Sequence, residues 1–340
     1  MLKTNQMAKG TVHISHPGGH RASYRDLLGA KLGYAAETGS AKTLFSVLCG
    51  CPKVLFATLD GDIDRFLLIA MVRSLLFRRT CGLFVGPLRY TRRSTRFREK
   101  IRGLGLRALK EVPLVTVFSI IPHPVRPALR KVTGDWIHDP QLWDLGPNAR
   151  NNLPKTELSS EVGLRKGNRK VLLFLGKGSR LKGLQDLVRL VSGLEEELLV
   201  VVAGRIQEEC RQEAERLVQC GMIVEDRFIS DQELLSLYGP ADFTWCVYAP
   251  DYDQASGVFG RSIQLGVVPL IRERSVLDDY ANFVDAEAVR LTDLEKMTSA
   301  GLRALLLRER ARFAQNRTDE LLRSLETDAL SKIRKALGED

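Results

Sequence analysis

No stretch of this chain approaches the roughly 18 uncharged apolar residues that a membrane-spanning helix requires. Its first twenty residues, MLKTNQMAKGTVHISHPGGH, contain no apolar core of the kind secretory signals carry, so a cytoplasmic protein is expected. Cysteine is sparse and poorly spaced for metal. Six are present, and the Cys49–Gly50–Cys51 pair has neither a matching second pair nor a neighbouring histidine. Zinc sites need four ligands at regular spacings, so reduced cytosolic thiols and no metal site are expected. Internal repeats and low-complexity tracts are also missing, which excludes solenoids and disordered scaffolds.

What is present is the composition of a globular protein. The 340 residues are 44% hydrophobic and 27% charged, which suits two domains of about 150–180 residues each. Net charge is +10 and unevenly spread. Between Met71 and Lys110 there are twelve Lys or Arg residues and one acid, Glu99. The densest part, RYTRRSTRFREKIRGLGLRALK, places Phe97, Ile101, Leu104, Leu106 and Leu109 among the cations. Such a basic amphipathic segment suits an anionic membrane surface, a phosphorylated substrate or nucleic acid, or is simply solvated. Interleaved aromatic platforms are absent, so nucleic acid is not expected as a partner.

Short, β-branched-rich apolar runs bounded by turn residues read as buried parallel strands. In the first half these are Thr11–Ile14, Val54–Thr58, Leu83–Val85, Leu114–Ile121 and Trp136–Ile137, with helices over Tyr24–Glu37 and Ile63–Phe77. The polar stretch Asn148–Gly167 reads as a linker. The alternation then restarts with strands at Lys170–Leu175, Glu197–Ala203, Met222–Asp226, Phe243–Val247 and Val268–Ile271. Helices are expected between them at Leu181–Leu190, Gln207–Gln219, Asp231–Tyr238 and Arg261–Gly266. Strand–helix alternation in both halves predicts an α/β chain of two doubly wound Rossmann-like domains, 1–155 and 156–340, the second ending in a charged helical tail. Ligands of such sheets bind at the carboxyl ends of strands, here expected in the interdomain cleft.

Two glycine-containing turns sit where a strand hands over to a helix. Gly176-Lys177-Gly178-Ser179-Arg180-Leu181-Lys182-Gly183 follows VLLFL, and its cations suit a diphosphate. It is neither a Walker A loop nor a GxGxxG fingerprint with a later acid. Further on, Asp253, Gln254 and Ser256 precede Gly257-Val258-Phe259-Gly260, where exposed amides at a helix start can bind sugar hydroxyls and phosphate. In the first half, Pro17-Gly18-Gly19-His20 follows the first strand, and Asp60, Asp62 and Asp64 follow Val54–Thr58. The three acids are read as N-cap groups for the next helix rather than a cation motif.

The order strand–GK…KG–helix, VVAGR at Val201–Arg205, DRFISDQELLSLYGPADF and FGRSIQLGVVPLI resembles the nucleotide-binding half of GT-B glycosyltransferases, most closely the retaining family 4 of bacterial polysaccharide and lipid glycosyltransferases. The resemblance covers about Lys170–Ile271 well and the rest loosely. It implies a nucleotide-diphosphate-sugar donor, no tightly bound cofactor, and a glycan or lipid-linked acceptor, with possible peripheral contact of the basic segment with an anionic membrane. The donor-binding residues it implies are Gly18, Gly19, Gly176, Lys177, Arg180, Lys182, Arg205, Gly257, Val258, Phe259, Gly260 and Arg261. His123 and Asp253 are the implied catalytic pair, His123 lying several residues past the usual histidine position at Ser119. In the family a Glu–x7–Glu motif frames sugar and ribose. Its first acid corresponds to Asp253, but its second falls on Arg261, which has only donors. That departure keeps a catalytically silent GT-B-like binding or scaffold protein as the alternative. A sugar-nucleotide epimerase on the same architecture is a third option.

Overall fold

The computed structural model describes residues 9–16, 20–39, 46–91, 97–308 and 315–339. Contacts divide the chain into two units, Met1–Pro140 with Ser324–Asp340, and Gln141–Arg323.

The first unit is a six-stranded, wholly parallel sheet of β1 (Thr11–Ile14), β2 (Ala35–Thr38), β3 (Lys53–Phe56), β4 (Arg79–Phe84), β5 (Val115–Ser119) and β6 (Asp135–Trp136), in the order β2-β1-β3-β4-β5-β6. Helices α1 (His20–Leu32), α2 (Ile63–Leu75) and α3 (Phe97–Lys110) connect its strands. The sheet reverses its winding between β1 and β3, the usual ligand position in such folds. Gly18 and Gly19 lie outside the described residues.

Three expectations need correction here. The helix predicted over Tyr24–Glu37 stops at Leu32, because Gly33 adopts φ +69° and turns the chain into edge strand β2. The three aspartates do not cap α2. Asp62 occupies the N-cap position without a side-chain hydrogen bond, while Asp60 accepts from the Val85 and Gly86 amides and Asp64 pairs with Arg102. The linker predicted at Asn148–Gly167 contains a helix, α4 (Glu157–Lys166), begun by a capping box between Thr156 and Ser159.

Arg73, at the end of α2, is fully buried. Its guanidinium donates to the Val47, Cys51, Pro52 and Arg79 carbonyls and to Thr80 Oγ1, fixing α2 to the strands on either side of it.

The second unit repeats the design with β7 (Lys170–Leu175), β8 (Leu198–Ala203), β9 (Ile223–Glu225), β10 (Phe243–Cys246), β11 (Val268–Arg272) and β12 (Val289–Leu291), ordered β12-β11-β10-β7-β8-β9 and parallel throughout. Every residue of β8 is buried, which is why LLVVVA lacks the alternation of a one-sided strand. Helices α5 (Leu184–Val191), α6 (Arg211–Gln219), α7 (Asp231–Leu237), α8 (Gly257–Gln264), α9 (Val276–Phe283) and α10 (Ser299–Arg308) belong to this unit. The last helix, α11 (Gln315–Leu337), ends in the first unit. There Lys332 lies over the Trp136 ring, Arg79 donates to the Ala336 carbonyl, and Tyr34 and Lys53 both bind Glu339.

His13 on β1 is fully buried, stacks edge-on against Phe56, and has no hydrogen-bond partner for either ring nitrogen. Burial lowers its pKa from 6.5 to about 4, and His138 is lowered to about 4 for the same reason. Both rings are therefore neutral when folded but take up protons on unfolding below pH 6.5. Their stabilising contribution is complete above that pH and is lost as pH falls toward 4, by at most about 1.4 kcal/mol per pH unit for each. Urea unfolding between pH 7 and 4 is expected to show this slope, and His13→Leu to reduce it; an unchanged slope would contradict the assignment.

Candidate functional site

The second sheet changes winding direction between β7 and β10, and the turns leaving these two strands meet. Backbone geometry explains why glycine is needed there. Gly176 has φ +88° and Gly204, after β8, has φ +140°; a Cβ on Gly204 would strike the Gly176 carbonyl. The turn then runs alongside the end of β8, with the Gly178 amide donating to the Arg205 carbonyl (2.9 Å) and Gln207 returning a bond to Gly178 (2.8 Å). Ser179 caps the short 3-10 turn Arg180–Lys182, and Gly183 (φ +75°) leaves it against the Val247 carbonyl.

This path folds Lys182 inward. Its ammonium points back at the Leu175 carbonyl (3.3 Å), 2.9 Å from where a Cβ on Gly176 would stand, and lies 5.8 Å from the Tyr248 ring centroid. Desolvation lowers the Lys182 pKa. The one negative influence on it is Cys246, but burial raises that thiol to about 12 and keeps it protonated. Among the described residues no carboxylate pairs with Lys182, so a partly buried cation faces its surroundings with a single long carbonyl contact. Such a group is costly until an anion joins it.

Tyr248 links this lysine to the second turn. Its hydroxyl is 2.7 Å from Ser256 Oγ, and Ser256 caps α8 by accepting from the Phe259 amide. The Ala249 amide donates to the Leu181 carbonyl and Trp245 Nε1 to the Lys182 carbonyl, tying the β10 exit to the β7 turn. Lys182, Tyr248, Ser256 and the start of α8 are therefore contiguous. Lys177, Arg180 and Arg205 are exposed on the same two turns. The positive end of the α8 dipole adds to their field. Tyr248 was missed by sequence reasoning; an aromatic directly after a buried strand at the winding reversal is the signal that marks it.

The remaining predicted residues are placed as follows. Gly257 and Gly260 lie under the segment Gln141–Asp144: a Cβ on Gly257 would collide with the Gln141 carboxamide and one on Gly260 with the Gln141 carbonyl. Val258 lends its carbonyl to Ser262, and Phe259 is buried against Tyr280. Arg261 forms a two-pronged ion pair with Asp144, which Gln264 also contacts at 2.9 Å. Asp253 accepts from the Val276 amide at 2.7 Å and faces Arg272 at 3.5 Å, while Arg272 also donates to the Tyr248 carbonyl. In the first unit, His123 is buried with Nε2 2.8 Å from Thr133 Oγ1. The Thr133 hydroxyl proton goes to the Leu129 carbonyl, so Nε2 is the donor, and burial lowers the ring's pKa. The ring is thus tied to Thr133 within its unit. Of His20 only its position, at the first residue of α1, is described. No cluster of metal-ligating side chains occurs among the described residues.

No protein-family model matches the sequence. No curated protein matches it either. Solved structures do. HepE of Anabaena in complex with UDP aligns over 97% of this chain and 98% of its own, with TM-score 0.59 and 11% identity. Sucrose-phosphate synthase of Thermosynechococcus elongatus aligns over 88% and 75%, with TM-score 0.54 and 15% identity. The chain has the GT-B fold. A putative UDP-N-acetylglucosamine 2-epimerase of Listeria monocytogenes shares it, at TM-score 0.53, 13% identity and coverage of 97% and 94%. At these identities the likeness concerns the GT-B fold and leaves chemistry to the site itself.

The Arg261–Asp144 pair is largely buried, so removing one partner strands the other. Arg261→Ala is expected to destabilise the protein by about 3 kcal/mol in urea unfolding, whereas Arg261→Met with Asp144→Leu should lose clearly less. Equal losses would show that packing rather than charge dominates there.

Proposed function

We propose that this protein is a glycosyltransferase that takes a sugar from a nucleotide-diphosphate donor and passes it to a glycan or lipid-linked acceptor, with retention. The observation that carries the proposal is the partly buried ammonium of Lys182, paired with no carboxylate among the described residues and set between a glycine turn and a helix start at the winding reversal of a GT-B sheet. Breaking the bond between a sugar and a diphosphate places negative charge on the leaving phosphate. Lys182, the exposed Lys177, Arg180 and Arg205, and the amides at the start of α8 would stabilise that charge. Gly176 and Gly204 let the backbone come close to it. HepE, whose structure was solved with UDP-glucose and with UDP, is consistent with this donor class.

The catalytically silent alternative has its own observation. Asp253 is held by the Val276 amide and Arg272, and Arg261 by Asp144. Both positions of the family's acid pair are thus engaged in contacts within the unit. Such a protein would bind nucleotide diphosphate without turning over any sugar donor.

Calorimetry with UDP and other nucleoside diphosphates tests the shared premise. Lys182→Met is expected to weaken binding about a hundredfold, the worth of a charge-assisted contact to phosphate. Because burial depresses the lysine's pKa, an arriving diphosphate raises it again, so wild-type affinity should decline at a lower pH than an ordinary lysine would dictate. Unchanged affinity in Lys182→Met would remove the donor site. Hydrolysis of a panel of nucleotide sugars then separates the two proposals: turnover supports transfer, and tight binding without turnover supports the silent protein.

A further inference from the structure

Among the described residues fourteen large hydrophobic side chains are exposed, and eight of them lie between Leu68 and Leu104. They are not scattered. Leu68, Met71 and Leu75 repeat at three- and four-residue spacing along α2, and Phe97, Ile101 and Leu104 do the same along α3. The two helices pack together: Gly105 lies so close to Leu67 that a Cβ there would stand 2.8 Å from Leu67 Cδ1, and Arg102 grips Asp64 with two hydrogen bonds. The exposed stripes therefore flank one seam and form one apolar face, which Leu76 and Phe77 extend beyond the end of α2. Phe77 is 87% exposed at φ +55°, a conformation unfavourable for a bulky residue and uncompensated by burial.

The charge around this face is predominantly positive. Arg98, Lys100 and Arg107 are exposed on α3, while the nearby acids are engaged, Asp64 with Arg102 and Glu111 with Lys110. Glu99 is the one further acid on α3. No helix among the described residues is long and apolar enough to cross a membrane.

We propose that the α2–α3 face docks on an anionic lipid surface, its Leu, Ile, Met and Phe side chains entering the headgroup–acyl boundary and its cations lying among the phosphates. Apolar residues rimmed by Lys and Arg, on helices lying in the interface plane, are what such a surface selects. Arg73, buried and bonded to four backbone carbonyls, fixes α2 in the sheet, so the face is presented by a rigid element. This concerns the first unit alone and holds or fails independently of the donor site.

Co-sedimentation of the full chain with phosphatidylcholine vesicles, with and without phosphatidylglycerol, tests the proposal. Binding is expected only to the anionic vesicles and should weaken at high salt. Phe77→Ser with Phe97→Ser should weaken it about a hundredfold, roughly tenfold for each apolar side chain kept in water. Arg98→Gln with Lys100→Gln should cost about fivefold per charge removed. Both double variants alter exposed side chains, so an unchanged melting temperature is the control. Wild-type protein left in solution with both vesicle types would overturn the proposal. So would a concentration-dependent dimer in sedimentation velocity that the Phe77→Ser, Phe97→Ser variant abolishes, since that would assign the face to a second copy of the chain.

Discussion

The close approach of backbone at the ends of β7 and β8 sets the geometry on which the candidate site depends. The Gly176 carbonyl leaves no room for a side chain on Gly204, and Gly183 turns against the Val247 carbonyl in the same way. A bulkier residue at Gly204 or Gly183 would push these backbone segments apart, and one at Gly176 would displace the Lys182 ammonium. The partial burial of the ammonium, its lowered pKa and its proximity to Tyr248 accompany that packing.

The buried Arg73 and the partly buried Lys182 show how differently two cations can be satisfied within the fold. Arg73 has a planar fork of donors and fills it with four carbonyls and a threonine hydroxyl, so its charge is dispersed into the fold. Lys182 has three donors and one long carbonyl contact, with a protonated thiol and an aromatic ring for neighbours. The guanidinium is complete as it stands. The ammonium retains donor capacity that an incoming acceptor would satisfy.

All strands but β2 and β12 were legible in the sequence because parallel strands buried on two faces are continuous apolar runs, and β1 and β7 begin and end where those runs do. Strand β2 was not, since Ala35–Thr38 lies at a sheet edge, only partly buried, and its residues continue a helical pattern that Gly33 interrupts. The glycine turn at Gly176 was legible as a strand-to-helix turn, but its glycines and cations alone do not separate a phosphate site from an ordinary βα turn. The partners of Asp253 and Arg261 were not. Asp144 precedes Arg261 by 117 residues, and Val276 follows Asp253 by 23, so these bonds arise from tertiary packing that no local spacing encodes. The same holds for α11, whose charged pattern indicates a helix but not that Lys332 and Glu339 would anchor it on the first unit.

The pairing of Arg261 with Asp144 also changes what the start of α8 can recognise. An acid at position 261 would add a negative charge to the first turns of a helix whose positive end faces the proposed phosphate site. An Arg–Asp pair is neutral overall, so the field there is one unit more favourable to a diphosphate than an unpaired acid would make it. The same exchange removes an acceptor for hydroxyl groups, because the carboxylate that Asp144 brings is already held by Arg261 and Gln264. A donor bound here would therefore be gripped chiefly through its phosphates.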